Sequence, residues 1–124
     1  MTVPLALVAH ERLFPGSQVA VKLADLGYLT HHVKDLTTLV SEAENRGALV
    51  VLIDLIWKLR DPLISISQLA TNPKTEHLPV IAYGDMSADT LLEQALNEGA
   101  DLVTGDEEIL QQLGPLLDQA LDME

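Results

Sequence analysis

ALVVLIDLIWKLRDP, residues 48 to 62, is apolar without interruption from Ala48 to Ile53 and then meets a carboxylate, Asp54. A short, β-branched, uniformly apolar run reads as a strand covered on both faces, as strands in a parallel sheet are. Asp54 at its end is therefore one of two things: a chemical group at the edge of a buried sheet, or only the polar residue at which the strand stops.

The sequence on either side repeats one unit, a strand followed by a helix. PLALVA (4–9) precedes SQVAVKLADL (17–26), which places Val19, Leu23 and Leu26 at helical spacing. YLTHHV (28–33) precedes DLTTLVSEAENR (35–46), and ALVVLI (48–53) precedes PLISISQLA (62–70). LPVIAY (78–83) precedes ADTLLEQALNE (88–98), for which Ser87 is the expected N-cap. DLVT (101–104) precedes EEILQQLGPLLDQAL (107–121), a helix that Gly114-Pro115 should kink or split. Glycines at 27, 47 and 99 stand where helices close. Five such pairs predict an α/β fold, a flavodoxin-like three-layer sandwich occupying residues 1–124 as one domain. Strands 1, 3 and 4 are apolar throughout and belong in the middle, which gives the order 2-1-3-4-5. In open sheets of this kind the site lies at the carboxyl ends of the strands. That edge would carry His10 and Glu11, Asp54, Gly84 and Asp85, and Gly105 and Asp106.

Composition limits the function. The chain has 124 residues, 48% of them hydrophobic, and no cysteine, so neither disulfides nor thiolate-bound metal hold the core. Its N-terminus lacks the basic start and long apolar stretch of a signal peptide, and no apolar run approaches the roughly 20 residues a bilayer requires. A soluble, cytoplasmic protein without membrane contact is expected. The net charge is −12, and it is unevenly placed: all seven Lys and Arg lie in the first 74 residues, where seven acids balance them, while the last 50 residues carry 12 acids. Direct nucleic-acid binding is disfavoured, because it needs cations against phosphates. A basic protein surface is the complementary partner.

LVVLIDLIWKLRDP, the spacer LATNPKTEHLPVIAYG and EQALNEGADLV together resemble the receiver domain of two-component response regulators, and the likeness extends over essentially the whole chain. The resemblance implies a non-enzymatic signalling module in which an aspartate after strand 3 accepts a phosphoryl group from a histidine kinase. An acidic pair after strand 1 holds Mg²⁺ with that aspartate, a Thr or Ser after strand 4 hydrogen-bonds the phosphoryl oxygens, and a Lys after strand 5 neutralises them. Asp54 aligns with the phosphoacceptor. His10 and Glu11 fall on the acidic pair, leaving Glu11 and Asp54 as the remainder of a Mg²⁺ site, since magnesium prefers oxygen ligands to imidazole.

The other positions depart from the pattern. Gly84 stands at the hydroxyl position, and Asp106, or Gly105 if the loop is one residue shorter, at the lysine. Tyr83 offers a nearby hydroxyl but by strand alternation should point off the other face. Lys58 or Arg60 could in principle fold back, but the site is expected to lack its counter-charge. The reading is an atypical receiver, a pseudo-receiver working by protein–protein contact independently of phosphorylation and without a resident cofactor. The alternatives are a working receiver phosphorylated on Asp54 and a small-ligand or flavin-binding flavodoxin-like protein; AHERLFPGS after strand 1 lacks the phosphate loop the latter needs.

Several single residues remain open. His10 reads as a pH sensor, a hydrogen-bond donor to Asp54, a ligand with Glu11 and Asp54 of a transition metal, or a half-exposed loop histidine. Trp57 either shields Asp54 or packs on the third helix. Of His31 and His32, at least one should face solvent. The acidic last helices oppose a symmetric homodimer through that face.

Overall fold

The computed structural model describes residues 3–85, 87 and 89–122. Five strands, β1 (Leu5–Ala9), β2 (Leu29–Val33), β3 (Val50–Asp54), β4 (Val80–Gly84) and β5 (Leu102–Gly105), form one parallel sheet in the order β2-β1-β3-β4-β5. The helices are α1 (Leu13–Asp25), α2 (Leu39–Asn45, preceded by a 3₁₀ turn at Leu36–Thr38), α3 (Pro62–Thr71), α4 (Asp89–Glu98), α5 (Asp106–Gln111) and α6 (Leu113–Asp122).

Alternation along the strands builds two cores, one on each face. Leu7, Val51, Ile53 and Ala82 pack with Leu39, Ile66, Leu69 and Ala95 of α2, α3 and α4. Ala6, Val8, Val50, Leu52 and Ile81 pack with Val19 and Leu23 of α1 and with Ile109, Leu113 and Leu117 of α5 and α6. Every residue of β3 is buried, as its apolar run requires. Each such aliphatic side chain contributes about 1.5–3 kcal/mol.

Local chemistry sets the helix ends. Asp61 caps α3 by accepting from the Leu63 N–H at 2.9 Å, with Pro62 in the first turn, where its missing donor costs nothing. At the other end the buried Thr75 hydroxyl donates to the Leu69 carbonyl at 2.8 Å, tying the NPKT turn back onto the helix. Asp35 plays the capping role before α2, accepting from the Thr37 N–H at 3.0 Å. The cap expected of Ser87 turns on residue 88, outside the described residues.

One helix differs from expectation, and one is split as expected. Regular helix in α1 starts at Pro15, two residues ahead of Ser17; Leu13 and the extended Phe14 precede it, and the Phe14-Pro15 bond is cis. The segment 107–121 is two helices that meet at Gln112, so that Pro115 lies in the first turn of α6, where no intrahelical donor is required of it. No described helix is long and apolar enough to cross a membrane.

Candidate functional site at the carboxyl edge of the sheet

Strand register aligns the carboxyl ends of the central strands, pairing Ala9 with Ile53, Asp54 with Tyr83 and Gly84 with Gly105. Asp54 closes β3 with no exposed surface. Its Oδ1 accepts from the Ile56 N–H at 2.9 Å and from Arg12 Nη2 at 2.8 Å, and its Oδ2 accepts from Arg12 Nε at 2.9 Å. The same guanidinium reaches across to Asp106, with Nη1 donating to Oδ2 and Nη2 to Oδ1, both at 3.0 Å. The Trp57 indole N–H donates to the Asp54 main-chain carbonyl at 2.5 Å.

The expected shortage of counter-charge is therefore corrected. A cation is present, and it comes from the β1–α1 loop rather than from Lys58 or Arg60, whose side chains are exposed. Burial pushes the Asp54 carboxyl above its ordinary range, against the pull of Arg12 and the Ile56 amide. Burial also works against the Arg12 charge, but its hydrogen bonds to Asp106 and Asp54 outweigh that and hold the guanidinium protonated.

His10 is buried, not half exposed, and it faces β2 rather than Asp54. Its Nδ1 lies 2.8 Å from the Arg12 carbonyl and its Nε2 lies 2.8 Å from His32 Nδ1. A carbonyl only accepts, so Nδ1 carries a proton; in the neutral ring Nε2 then presents a lone pair, to which His32 Nδ1–H donates. Gly16 closes the remaining side: a Cβ there would stand 2.3 Å from His10 Nδ1. Burial lowers the affinity of His10 for a second proton, and burial together with the His10 and Lys34 charges does the same for His32. His31, on the other face of β2, pairs with Glu42 of α2 at 3.0 Å. His32 is the exposed member of the two, yet its ring is engaged.

The other sequence candidates are placed as follows. Glu11 accepts from the Lys58 main-chain N–H at 2.9 Å and so spans the loops after β1 and β3. Gly84 ends β4, where an added Cβ would make ordinary contact with Leu55 at 3.5 Å. Gly105 ends β5, and Asp106 opens α5. Asp85 is exposed and accepts from the Ser87 N–H at 2.9 Å. Tyr83 corrects the expectation that it points away. Its register with Asp54 puts both side chains on one face of the sheet, and its buried hydroxyl has no hydrogen-bond partner among the described residues. Burial, reinforced by the charge of Asp54, raises its pKa.

Mg²⁺ does not fit this donor set. Both Asp54 oxygens are engaged by Arg12, Glu11 is held by a main-chain amide, and both His10 nitrogens are committed. No group of three or more His, Cys, Asp or Glu suited to a metal ion occurs among the described residues.

No protein-family model and no curated protein matches the sequence. Solved structures do match in fold. The receiver domain of a sensor histidine kinase from Pseudomonas aeruginosa, with magnesium coordinated in its active-site cleft, superposes with a TM-score of 0.86 at 17% identity, over 98% of this chain and 99% of that one. The chain has the receiver fold. The receiver domain of NtrX from Brucella abortus gives a TM-score of 0.83 at 20% identity, covering 96% and 99% of the two chains. The chemotaxis response regulator CheY4 of Vibrio cholerae gives 0.76 at 14%, covering 93% and 99%. Receiver-fold topology was legible in the apolar runs. The role of Arg12 was not, since nothing but its place two residues after His10 set it apart from six other cations.

Proposed function

We propose that this receiver-fold chain is a non-enzymatic, cytoplasmic signalling module, one domain over residues 1–124, that acts by binding a protein partner without phosphorylation of Asp54. The observation that carries the reading is the engagement of both Asp54 oxygens by Arg12, which leaves neither as a ready nucleophile. The positions that would receive a phosphoryl group support it. Gly84 has no hydroxyl, Asp106 is itself anionic, and a phosphoryl group would add about −1.5 to −2 charges beside it. The partner's chemistry follows from a cleft of 840 Å³ whose wall includes Phe14, Asp85, Asp106, Glu107 and Glu108, which favours a basic protein surface.

A second reading draws on the same arginine. A working receiver phosphorylated on Asp54 by a histidine kinase would use Arg12 in place of the absent lysine, as a bidentate partner for the phosphoryl oxygens. Incubation with Mg²⁺ and acetyl phosphate, read by intact mass, and with beryllofluoride, read by amide NMR, separates the two. The proposal expects unchanged mass and an unchanged spectrum. Stoichiometric modification that disappears in Asp54→Asn would overturn it and establish the second reading.

A further inference from the structure

Arg12 Nη2 is bonded to one oxygen of each of two carboxylates, Asp54 Oδ1 at 2.8 Å and Asp106 Oδ1 at 3.0 Å. A cation bridging those oxygens would stand where this nitrogen stands. Nε and Nη1 satisfy the second oxygen of each acid, so one planar group accounts for all four. Three segments distant in sequence are joined by it: the loop after β1, the end of β3 and the first residue of α5. The arginine is itself positioned, because its carbonyl accepts from His10, whose ring is fixed by His32 and by the close approach of Gly16.

We propose that Arg12 is a resident substitute for a divalent cation: the site is closed to metal ions by its own side chain, and removing that side chain opens a latent divalent site on Asp54 and Asp106. This extends the phosphorylation-independent reading by naming what stands between Asp54 and Asp106. The geometry also sets the ion. Oxygens about 3 Å from the bridging atom must each move in by about 0.5 Å to ligate Ca²⁺, at 2.3–2.6 Å, and by nearly twice that for Mg²⁺, which also demands near-octahedral coordination. A latent site with two carboxylates and adaptable geometry favours Ca²⁺ over Mg²⁺. Lysine could not do the same work as arginine, since a single ammonium cannot present a planar fork to two carboxylates at once.

The test is titration of the folded protein with Mn²⁺, read as paramagnetic broadening of the amides of Asp54, Ile56 and Asp106, with Ca²⁺ affinity measured by calorimetry. Wild type is expected to show no broadening centred on these amides. Arg12→Ala, with Arg12→Gln as the more conservative variant should the alanine protein fold poorly, is expected to gain at least tenfold in Ca²⁺ affinity, and Arg12→Gln with Asp54→Asn to lose that gain. Wild type binding Mn²⁺ at these amides as tightly as the variants do, or no gain in either variant, would overturn the inference. Inertness to acetyl phosphate combined with wild-type metal binding would sink this inference while leaving the proposed function standing.

Discussion

The Arg12 guanidinium lies between two carboxylates, and its fork shape matters as much as its charge. Burying Asp54 alone would be costly, and removing one member of a buried pair typically costs about 3–5 kcal/mol. Arg12 offsets that burial with two hydrogen bonds to Asp54 and gives two more to Asp106. Behind it, the His32–His10 bond tolerates one proton and not two. A single added proton leaves one N–H donor between the two rings, whichever ring holds the charge, whereas a second added proton sets two donors against each other. Both imidazoles are lowered from the ordinary value of 6.5. A group whose folded pKa is depressed in this way contributes stability that is whole above about 6.5 and declines as pH falls below it. Asp54, raised by burial, has the opposite sign and partly offsets the loss on the acid side. Imidazole ¹H–¹⁵N spectra recorded through a pH titration should place the midpoints of His10 and His32 below 6.5; midpoints above that value would contradict the buried pair.

Among the elements, helix ends were the most legible. Gly27, Gly47 and Gly99 all close helices at positive φ, 92°, 66° and 126° respectively. They differ in what surrounds them. A Cβ at Gly47 would meet nothing within 4 Å, whereas one at Gly99 would stand 2.6 Å from the Ala70 Cβ, where α4 ends against α3. Gly47→Ala should therefore cost about 1 kcal/mol from backbone conformation alone. Gly99→Ala should cost about 3 kcal/mol, because overpacking against the Ala70 methyl adds to the strained φ. Urea midpoints at constant m-value measure both; equal losses would mean that the α3–α4 contact yields freely. The break between α5 and α6 was legible in Gly114-Pro115, but its position at Gln112 was not, since proline is accommodated by any arrangement that puts it in a first turn. The start of α1 was misjudged because Pro15 reads equally as a loop breaker and as a first-turn residue.

At the scale of the whole molecule the uneven charge becomes spatial. Residues after 74 supply β4, α4, β5, α5 and α6, so one end of the sheet and the helices beside it carry the excess of acid. A two-fold contact through that side would set like charge against like. The protein should sediment as a monomer at low ionic strength, where screening is weakest. A stable dimer under those conditions would show that another face pairs.

The order of the strands could be taken from sequence because burial on both faces leaves its mark in the composition of each strand, residue by residue: β1, β3 and β4 are apolar throughout, β2 and β5 are mixed. The place of Asp54 followed from the same runs, as the first polar residue after the central strand. What fills the site could not be taken from sequence. Arg12 meets Asp54 across 42 residues and Asp106 across 94, and His10 meets His32 across 22. Such pairings come from parallel crossovers that bring the ends of strands together. Only the folded sheet sets these side chains within hydrogen-bond distance, and only there does a loop arginine become the counter-ion of a buried aspartate.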